Sequence, residues 1–312
     1  MSIPTLRPTL ALAAPALALV LALCGCGRSA PAPPGSQGPG RPVFRVVAAE
    51  SFWGSLAAEL AGRRAEVRSL IAAPGVDPHS YQPTAADARL VTDANMVIEN
   101  GLGYDPWIGQ LTRASQSRAR RILDVGSLLR LPVGANPHRW YFPADVEAVV
   151  RGIVADYDRL DPAGSAYYTE RERRLLRVGF AGYDRLRREI RARFAGTAVG
   201  YSESIFEGLG RDLGLELATP YGFARAVAEG TDVTAAEKQA VDTLVSRRGI
   251  RVWVFNSQNV TPDVQRVNEL ARAAGVPVVT VTETLSPAGE TFEGWQVHQL
   301  EGLLRALEAG PR

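Results

Sequence analysis

Short runs rich in β-branched residues alternate with longer helical patterns along most of the chain. This alternation predicts an α/β fold of two lobes, each a small, mainly parallel sheet flanked by helices. The predicted strands are residues 43–48, 67–70, 96–99, 121–123, 198–201, 216–218, 251–255 and 278–281. The predicted helices include residues 52–61, 85–92, 234–246 and 262–274. About 270 residues follow the N-terminal segments, which is enough chain for two such lobes.

A long charged segment, residues 163–195, separates the two halves of the chain. Its large apolar side chains recur at three- and four-residue spacing, which predicts one connecting helix with a single apolar stripe. The stripe consists of Leu176, Phe180, Tyr183, Leu186, Ile190 and Phe194. Nine arginines lie between Arg171 and Arg193, and we expect them to face water or neighbouring acids. The whole chain has a formal net charge of only +2, so no nucleic-acid partner is indicated. We therefore expect lobes at residues 43–162 and 196–312, joined by this helix.

The first 26 residues have the features of a secretion signal. Residues 10–23 form an apolar run of 14 residues, which is short for a membrane span and typical of a signal peptide. The run ends in the sequence LCGCG, which resembles a bacterial lipobox. This predicts lipidation of Cys26, with Cys24 as the alternative; an ordinary secretion signal with incidental cysteines is the other interpretation. No cysteine follows Cys26, so we expect no disulfide and no thiolate metal site in the remaining chain.

Residues 27–42 contain five prolines, four glycines and no large apolar side chain. Such a segment buries too little surface to offset its ordering entropy, and it predicts a flexible tether. A lipid on Cys26 would then hold the folded lobes at a membrane surface. We therefore expect an extracytoplasmic protein that is anchored by lipid to the cell membrane.

Two of the three histidines follow a proline in a loop after a predicted strand: His79 in the segment DPHSYQPT and His138 in NPHRW. A neutral imidazole is the commonest metal ligand among side chains, and a preceding proline restricts the backbone that carries it. Glu203 and Glu283 also follow predicted strands. Because ligands bind beyond the carboxyl ends of strands in open α/β sheets, we expect these four side chains to share one cation between the lobes. His298 falls within the predicted C-terminal helix and is expected to be structural.

Each candidate ligand also has a simpler interpretation. His79 fits a turn residue that bonds to backbone, and His138 fits a ring packed beside Trp140. The two glutamates fit carboxylates at helix N-termini. Asn256 and Gln258 follow the predicted strand 251–255 and are candidates for orienting the metal ligands. Nitrogen and oxygen ligands suit Zn(II), Mn(II) or Fe(II), and the absence of sulfur weighs against Cu(I).

Four segments together resemble the solute-binding proteins of zinc and manganese ABC importers: DPHSYQPT, NMVIENGLG, NPHRW ahead of a helix, and VTETL ahead of the final helix. The resemblance covers about residues 43–307 and implies two lobes on one rigid connecting helix, with modest closure. It implies His79 and His138 as ligands, Glu203 as the third, and Glu283 at a place where the family usually has aspartate. Glutamate is longer by one methylene group, so the coordination geometry departs from the usual one. Residues 123–136 are short and carry no histidine, unlike the acidic or histidine-rich loop of many zinc importers.

The resemblance implies a monomeric binding protein, not an enzyme, which captures Zn(II) or Mn(II) and delivers it to an ABC permease and its ATPase. Zinc is favoured by a small margin, although the oxygen-rich ligand set, with coordination of four to six, argues for Mn(II). One alternative is a metal-dependent surface adhesin. Another is a zinc hydrolase, in which catalytic zinc keeps an open position with a bound water. The chain contains no HExxH motif, and four protein ligands would leave little room for a substrate.

Overall fold

The computed structural model describes residues 42–76, 78 and 81–311. The predicted signal peptide, the tether up to residue 41, Cys24, Cys26 and His79 lie outside the described residues. Within the described ranges, no helix combines the length and the apolar character that crossing a membrane requires.

The described strands form two parallel sheets that have the same strand order. The first sheet consists of β1 (Phe44–Glu50), β2 (Ala65–Ile71), β3 (Met96–Glu99) and β4 (Arg121–Asp124), in the order β2-β1-β3-β4. The second consists of β5 (Ala198–Tyr201), β6 (Glu216–Leu217), β7 (Trp253–Asn256) and β8 (Val278–Val281), in the order β6-β5-β7-β8. Every described pair of neighbouring strands is parallel. The predicted fold class of two lobes with parallel sheets is therefore confirmed, with strand ends shifted by at most two residues.

Helices cover both sheets. They are α1 (Ser51–Ala61), α2 (Ala85–Asp93), α3 (Pro106–Ala114), α4 (Val125–Leu128), α5 (Pro143–Leu160), α6 (Ser165–Arg174), α7 (Ala181–Phe194), α8 (Glu207–Asp212), α9 (Tyr221–Ala228), α10 (Ala235–Ser246), α11 (Pro262–Ala273) and α12 (Phe292–Ala309). The local sequence determines where several of these helices begin. Thr84 and Thr234 each form a capping box, with Asp87 and Glu237 three residues later. Prolines occupy the first turns of α5 and α11, where a missing backbone N–H costs nothing.

The shared strand order places a topological switch point in each sheet. The chain leaves β1 toward β2 on one side, whereas β3 lies on the other side of β1. The same reversal occurs between β5 and β7. Loops diverge at the carboxyl ends of such strands and leave a crevice that commonly holds ligands. In this protein those ends carry Glu50 and Asn100 in the first lobe, and Glu203 and Asn256 in the second.

The connecting segment is helical from α6 to α7 but is not one regular α-helix. A π-helical turn at Leu175–Gly179 separates the two, and the backbone N–H of Phe180 donates to the carbonyl oxygen of Leu175 at 2.9 Å. The extra residue in this turn shifts the buried face. Leu175 is therefore fully buried, whereas Leu176, which the sequence pattern placed on the stripe, only partly packs against the core. The remainder of the predicted stripe, from Phe180 to Phe194, is buried.

One hydrophobic core runs through both lobes. It includes Val46 on β1, Val254 on β7, Leu186 on α7 and Leu303 on α12. Smaller clusters cover the outer faces, around Trp107 in the first lobe and around several residues of the second lobe such as Trp253 and Phe223. Since α7 and α12 pack on each other and share this core, the second half of the connecting segment is embedded in the structure.

Candidate metal centre

Three of the four predicted ligands converge between the lobes. His138 comes from the loop ahead of α5, Glu203 follows β5, and Glu283 follows β8. All three side chains are buried, and one candidate ligand atom from each lies within 4.8 Å of the others. His79 lies outside the described residues, but Pro78, the residue before it, lines the same cavity as His138 and Glu283.

The ring of His138 is oriented by Asn136. The Asn136 Oδ1 lies 2.9 Å from Nδ1 of His138 and accepts the backbone N–H of His138 at 3.0 Å. An amide oxygen can only accept, so the proton belongs on Nδ1, and Nε2 carries the lone pair that a cation requires. The expected contact with Trp140 is also present, with ring centroids 5.3 Å apart. Packing and ligation are therefore compatible at this residue.

Asn136 also connects the two lobes. Its Nδ2 donates to the carbonyl oxygen of Ser204 at 2.7 Å, next to Glu203. The Ser204 hydroxyl in turn lies 3.3 Å from Nδ1 of His138. The histidine of the first lobe is thus hydrogen-bonded, directly and through Asn136, to the residue that follows Glu203 in the second lobe.

The two glutamate side chains share one amide donor. Asn256, which is buried, donates through Nδ2 to Oε1 of Glu203 at 2.6 Å and to Oε1 of Glu283 at 2.9 Å. The Tyr104 hydroxyl donates to Oε2 of Glu283 at 2.5 Å. Burial raises the pKa of Tyr104 well above its usual value, and the nearby acidic side chains of Glu283 and Glu50 raise it further, so the phenol keeps its proton and acts as the donor. Donors of this kind stabilise carboxylates in their ionised form.

The helix N-terminus interpretation fits the position of Glu203 but not that of Glu283. Glu203 precedes the short 3-10 turn Ser204–Phe206 but makes no capping hydrogen bond there. Glu283 is followed by a non-helical segment that extends to α12. Both carboxylates instead point to the shared amide of Asn256.

Gln258 fixes the main chain that carries Glu283. Its Oε1 accepts the backbone N–H groups of Glu283 at 2.6 Å and Thr284 at 2.9 Å, and its Nε2 donates to the Thr284 hydroxyl at 2.7 Å. The backbone N–H of Gln258 donates to Oδ1 of Asn256 at 2.9 Å, which orients that amide. The two residues suggested from sequence as orienting groups therefore do contact the candidate ligands or their backbone.

Sequence reasoning missed two residues of the centre and correctly left one out. Tyr104 directly follows the NMVIENGLG segment, and Asn136 opens the NPHRW segment, so a polar side chain beside a motif at a strand end was the available signal. His298 is exposed on α12, where its Nδ1 lies 3.6 Å from the carboxylate of Glu290. It takes no part in the centre, as expected.

A cavity of about 530 Å³ leads to the centre. The first lobe contributes Tyr104, Asn136 and His138 to its wall, and the second contributes Glu207 and Glu283. Burial raises the pKa of the Glu207 carboxyl, while the Arg211 guanidinium and a hydrogen bond from Asn136 lower it. One imidazole and two carboxylates, without sulfur, form a donor set that suits Zn(II), Mn(II) or Fe(II).

Two parallel-sheet lobes with candidate cation ligands in the crevice between them define a two-lobed solute-binding protein. The family model for the periplasmic component A of zinc-uptake complexes, ZnuA, matches residues 46–306. The chain belongs to this family.

Individual relatives carry names for different metals. The iron-binding protein YfeA of Yersinia pestis is 24% identical over 254 residues, covering 78% of this chain and 70% of YfeA. The zinc-binding lipoprotein AdcA of Streptococcus pneumoniae is 23% identical over 281 residues, covering 80% of this chain and 52% of AdcA. The manganese-binding lipoprotein MntA of Halalkalibacterium halodurans is 28% identical over 130 residues, covering 40% of this chain and 42% of MntA. The match thus spans only about half, or less, of the two lipoproteins.

Solved structures share the fold. The periplasmic zinc-binding protein TroA of Treponema pallidum superimposes with a TM-score of 0.68 at 20% identity, covering 85% of this chain and 99% of TroA. A manganese-bound periplasmic metal-binding protein of Candidatus Liberibacter asiaticus gives a TM-score of 0.71 at 19% identity, with the same coverage. These similarities confirm the two-lobed architecture.

Proposed function

We propose that the protein captures a divalent metal ion between its lobes, outside the cytoplasm, and delivers it to an ABC importer made of a permease and an ATPase. The convergence of His138, Glu203 and Glu283 on one buried position carries this proposal. Membership of the ZnuA family supports it independently. Two carboxylates offset the charge of a dication, and the imidazole binds as the neutral ligand.

His79 is the proposed fourth ligand. Its neighbour Pro78 lines the cavity, and the carbonyl oxygen of Pro78 accepts the indole N–H of Trp107 at 3.1 Å. This hydrogen bond ties Pro78 to α3 at the edge of the centre. Two imidazoles and two carboxylates would then surround the ion.

Zn(II) is the proposed ion, with Mn(II) as the alternative. The family description names zinc, whereas relatives are named for zinc, manganese and iron. Four ligands that each contribute one atom favour tetrahedral Zn(II), and carboxylates that bind through both oxygens favour Mn(II). Hydrogen-bond donors already contact one carboxylate oxygen of Glu203 and both carboxylate oxygens of Glu283. This favours one metal-bound oxygen per carboxylate, and so the lower coordination number.

The role in transport is preferred over catalysis and over adhesion. The family is described as an uptake component, and neither a hydrolase nor an adhesin name occurs among the relatives described above. A lipid on Cys26, followed by the tether at residues 27–42, would keep the monomer near the permease at the membrane. The names of two relatives as lipoproteins support this anchoring.

Calorimetric titration with Zn(II) and Mn(II) tests the proposal, and the three histidines supply matched variants. We expect His138→Ala and His79→Ala each to weaken binding by at least about 100-fold, because loss of an outer hydrogen bond alone costs about 10- to 100-fold. His298→Ala, which removes the exposed histidine of α12, should bind like the wild type. Wild-type affinity in His138→Ala would remove that residue from the site, and no binding by the unaltered protein would overturn the proposed function.

A further inference from the structure

Glu50 is a fully buried carboxyl group at the switch point of the first sheet. It is the last residue of β1, and β1 occupies the same place in its sheet as β5 does in the second sheet. Glu203, a candidate metal ligand, follows β5. Glu50 therefore ends the strand that corresponds to β5, but it is not among the described residues whose ligand atoms cluster.

The group that faces Glu50 is another carboxyl. Among the described residues, no N–H or O–H donor reaches either carboxyl oxygen of Glu50. The charged group that acts on it most strongly is Asp105, the residue before α3. Two buried carboxyls that act on each other in this way do not both stay ionised, so one of them carries a proton. Asp105 accepts the backbone N–H groups of Asn100 at 2.7 Å and Gly101 at 2.8 Å, which favours its ionised form, so the proton belongs on Glu50.

The other charged neighbours of Glu50 also favour its protonated form. Glu99 at the end of β3 and Glu283 after β8 both disfavour a negative charge on Glu50, and the Tyr104 phenol stays neutral. Burial is the largest cause, and together with Asp105, Glu99 and Glu283 it raises the pKa of Glu50 well above its usual value. Among the described residues, none of the groups that shift the pKa of Glu50 most is a cation.

We propose that Glu50 is a proton-binding site coupled to the metal centre, protonated when the centre is empty and ionised when a dication occupies it. The proposal rests on the proposed function. The bound cation favours the carboxylate form of a nearby buried acid, so the proton passes from Glu50 to the solvent as the metal binds. Release of one proton makes the metal affinity rise about tenfold per pH unit. The ion would therefore bind less tightly in an acidic medium.

Counting protons during Zn(II) binding tests this coupling. Calorimetry in two buffers of different ionisation enthalpy, at about pH 7.5 where free histidines are already neutral, gives the number of protons released. Glu50→Gln keeps the shape of the protonated side chain but has no proton to lose, so it should release about one proton fewer than the wild type.

Glu59→Gln is the matched control. Burial and Glu293 raise the pKa of Glu59 to about 6, but Glu59 lies on the last turn of α1. Its proton count should equal that of the wild type.

An infrared spectrum of the metal-free protein gives a second, independent measurement. The wild type should show a protonated-carboxyl band that is absent in Glu50→Gln and that disappears when Zn(II) is added. Equal proton counts in wild type and Glu50→Gln would overturn the coupling while leaving metal capture intact. If the wild type binds no metal, both proposals fall, even if the band shows that Glu50 is protonated. Thermal unfolding of Glu50→Gln checks that the variant is folded.

Discussion

Asn136 is predicted to control metal affinity although it is not a ligand. Replacement by alanine removes the oxygen that holds the Nδ1 proton of His138, at 2.9 Å. The ring can then rotate or adopt the other tautomer, which moves the lone pair away from the centre. Loss of such an outer partner costs about 10- to 100-fold in metal affinity, or about 1.4 to 2.7 kcal/mol. Asn136→Ala also removes the bond from Nδ2 to the Ser204 carbonyl oxygen, so the metal-free fold should lose about 0.5–1.5 kcal/mol.

Asn136→Asp separates these two effects. Aspartate keeps an oxygen acceptor for His138, but it has no donor for the Ser204 carbonyl and it faces the Glu207 carboxyl, which Asn136 hydrogen-bonds in the wild type. We therefore expect affinity within about tenfold of the wild type, since a carboxylate behind a histidine raises its basicity. Stability should fall at least as far as in Asn136→Ala. Calorimetry with Zn(II) measures the affinity, and urea unfolding of the metal-free protein measures the stability.

Two results would refute this reasoning. Wild-type affinity in Asn136→Ala would show that the amide does not set the orientation of the His138 ring. An equal loss of metal affinity in Asn136→Asp and Asn136→Ala would show that affinity depends on the hydrogen bond to the Ser204 carbonyl oxygen. It would not then depend on the oxygen that accepts from His138.

Two further predictions concern stability. Burial, with Asp105 and Asp124 adding to it, raises the pKa of Glu99 to about 7. The folded protein therefore binds a proton that the unfolded chain has lost, and stability falls as pH rises from roughly 4.3 to 7. Glu99→Gln should be more stable than the wild type by about 1–3 kcal/mol at pH 8 and equal to it near pH 4, measured by urea unfolding; a difference independent of pH would contradict this. A Cβ on Gly208 would lie 2.4 Å from the Phe142 ring, so Gly208→Ala should cost about 1–3 kcal/mol in the same assay. Phe142→Leu in that background should recover part of the loss, and no recovery would exclude the clash as its cause.

The strands and several helices were predictable from the sequence because their signals are local. Threonine caps such as Thr84 and Thr234 act within one helical turn, and the β-branched strands are short and bounded by polar residues. The π turn was missed because the spacing of three and four residues is satisfied on each side of it. The five-residue step from Leu175 to Phe180, which the turn requires, is visible only once the buried side chains are known.

The site was predictable in part, for the same reason. Ligands at strand ends follow from the topology, which predicts His138, Glu203 and Glu283 at one edge of the lobes. Their partners do not follow from it. Tyr104 and Glu283 are separated by 179 positions, and Asn136 and Ser204 by 68. No pattern within a segment connects residues so far apart, so only the packing of one lobe on the other reveals these hydrogen bonds.

That packing also bears on how a metal reaches the centre. The core is continuous through both lobes, and further hydrogen bonds cross between them, including the Tyr141 hydroxyl to the Thr282 carbonyl oxygen at 2.8 Å. A wide hinge motion would expose part of this core and break these bonds, each of which contributes about 0.5–1.5 kcal/mol. Motion of partly exposed loops around the cavity, such as the one that carries Asn136, leaves the core intact. Modest local closure around the ion therefore costs less free energy than opening of the two lobes as rigid bodies.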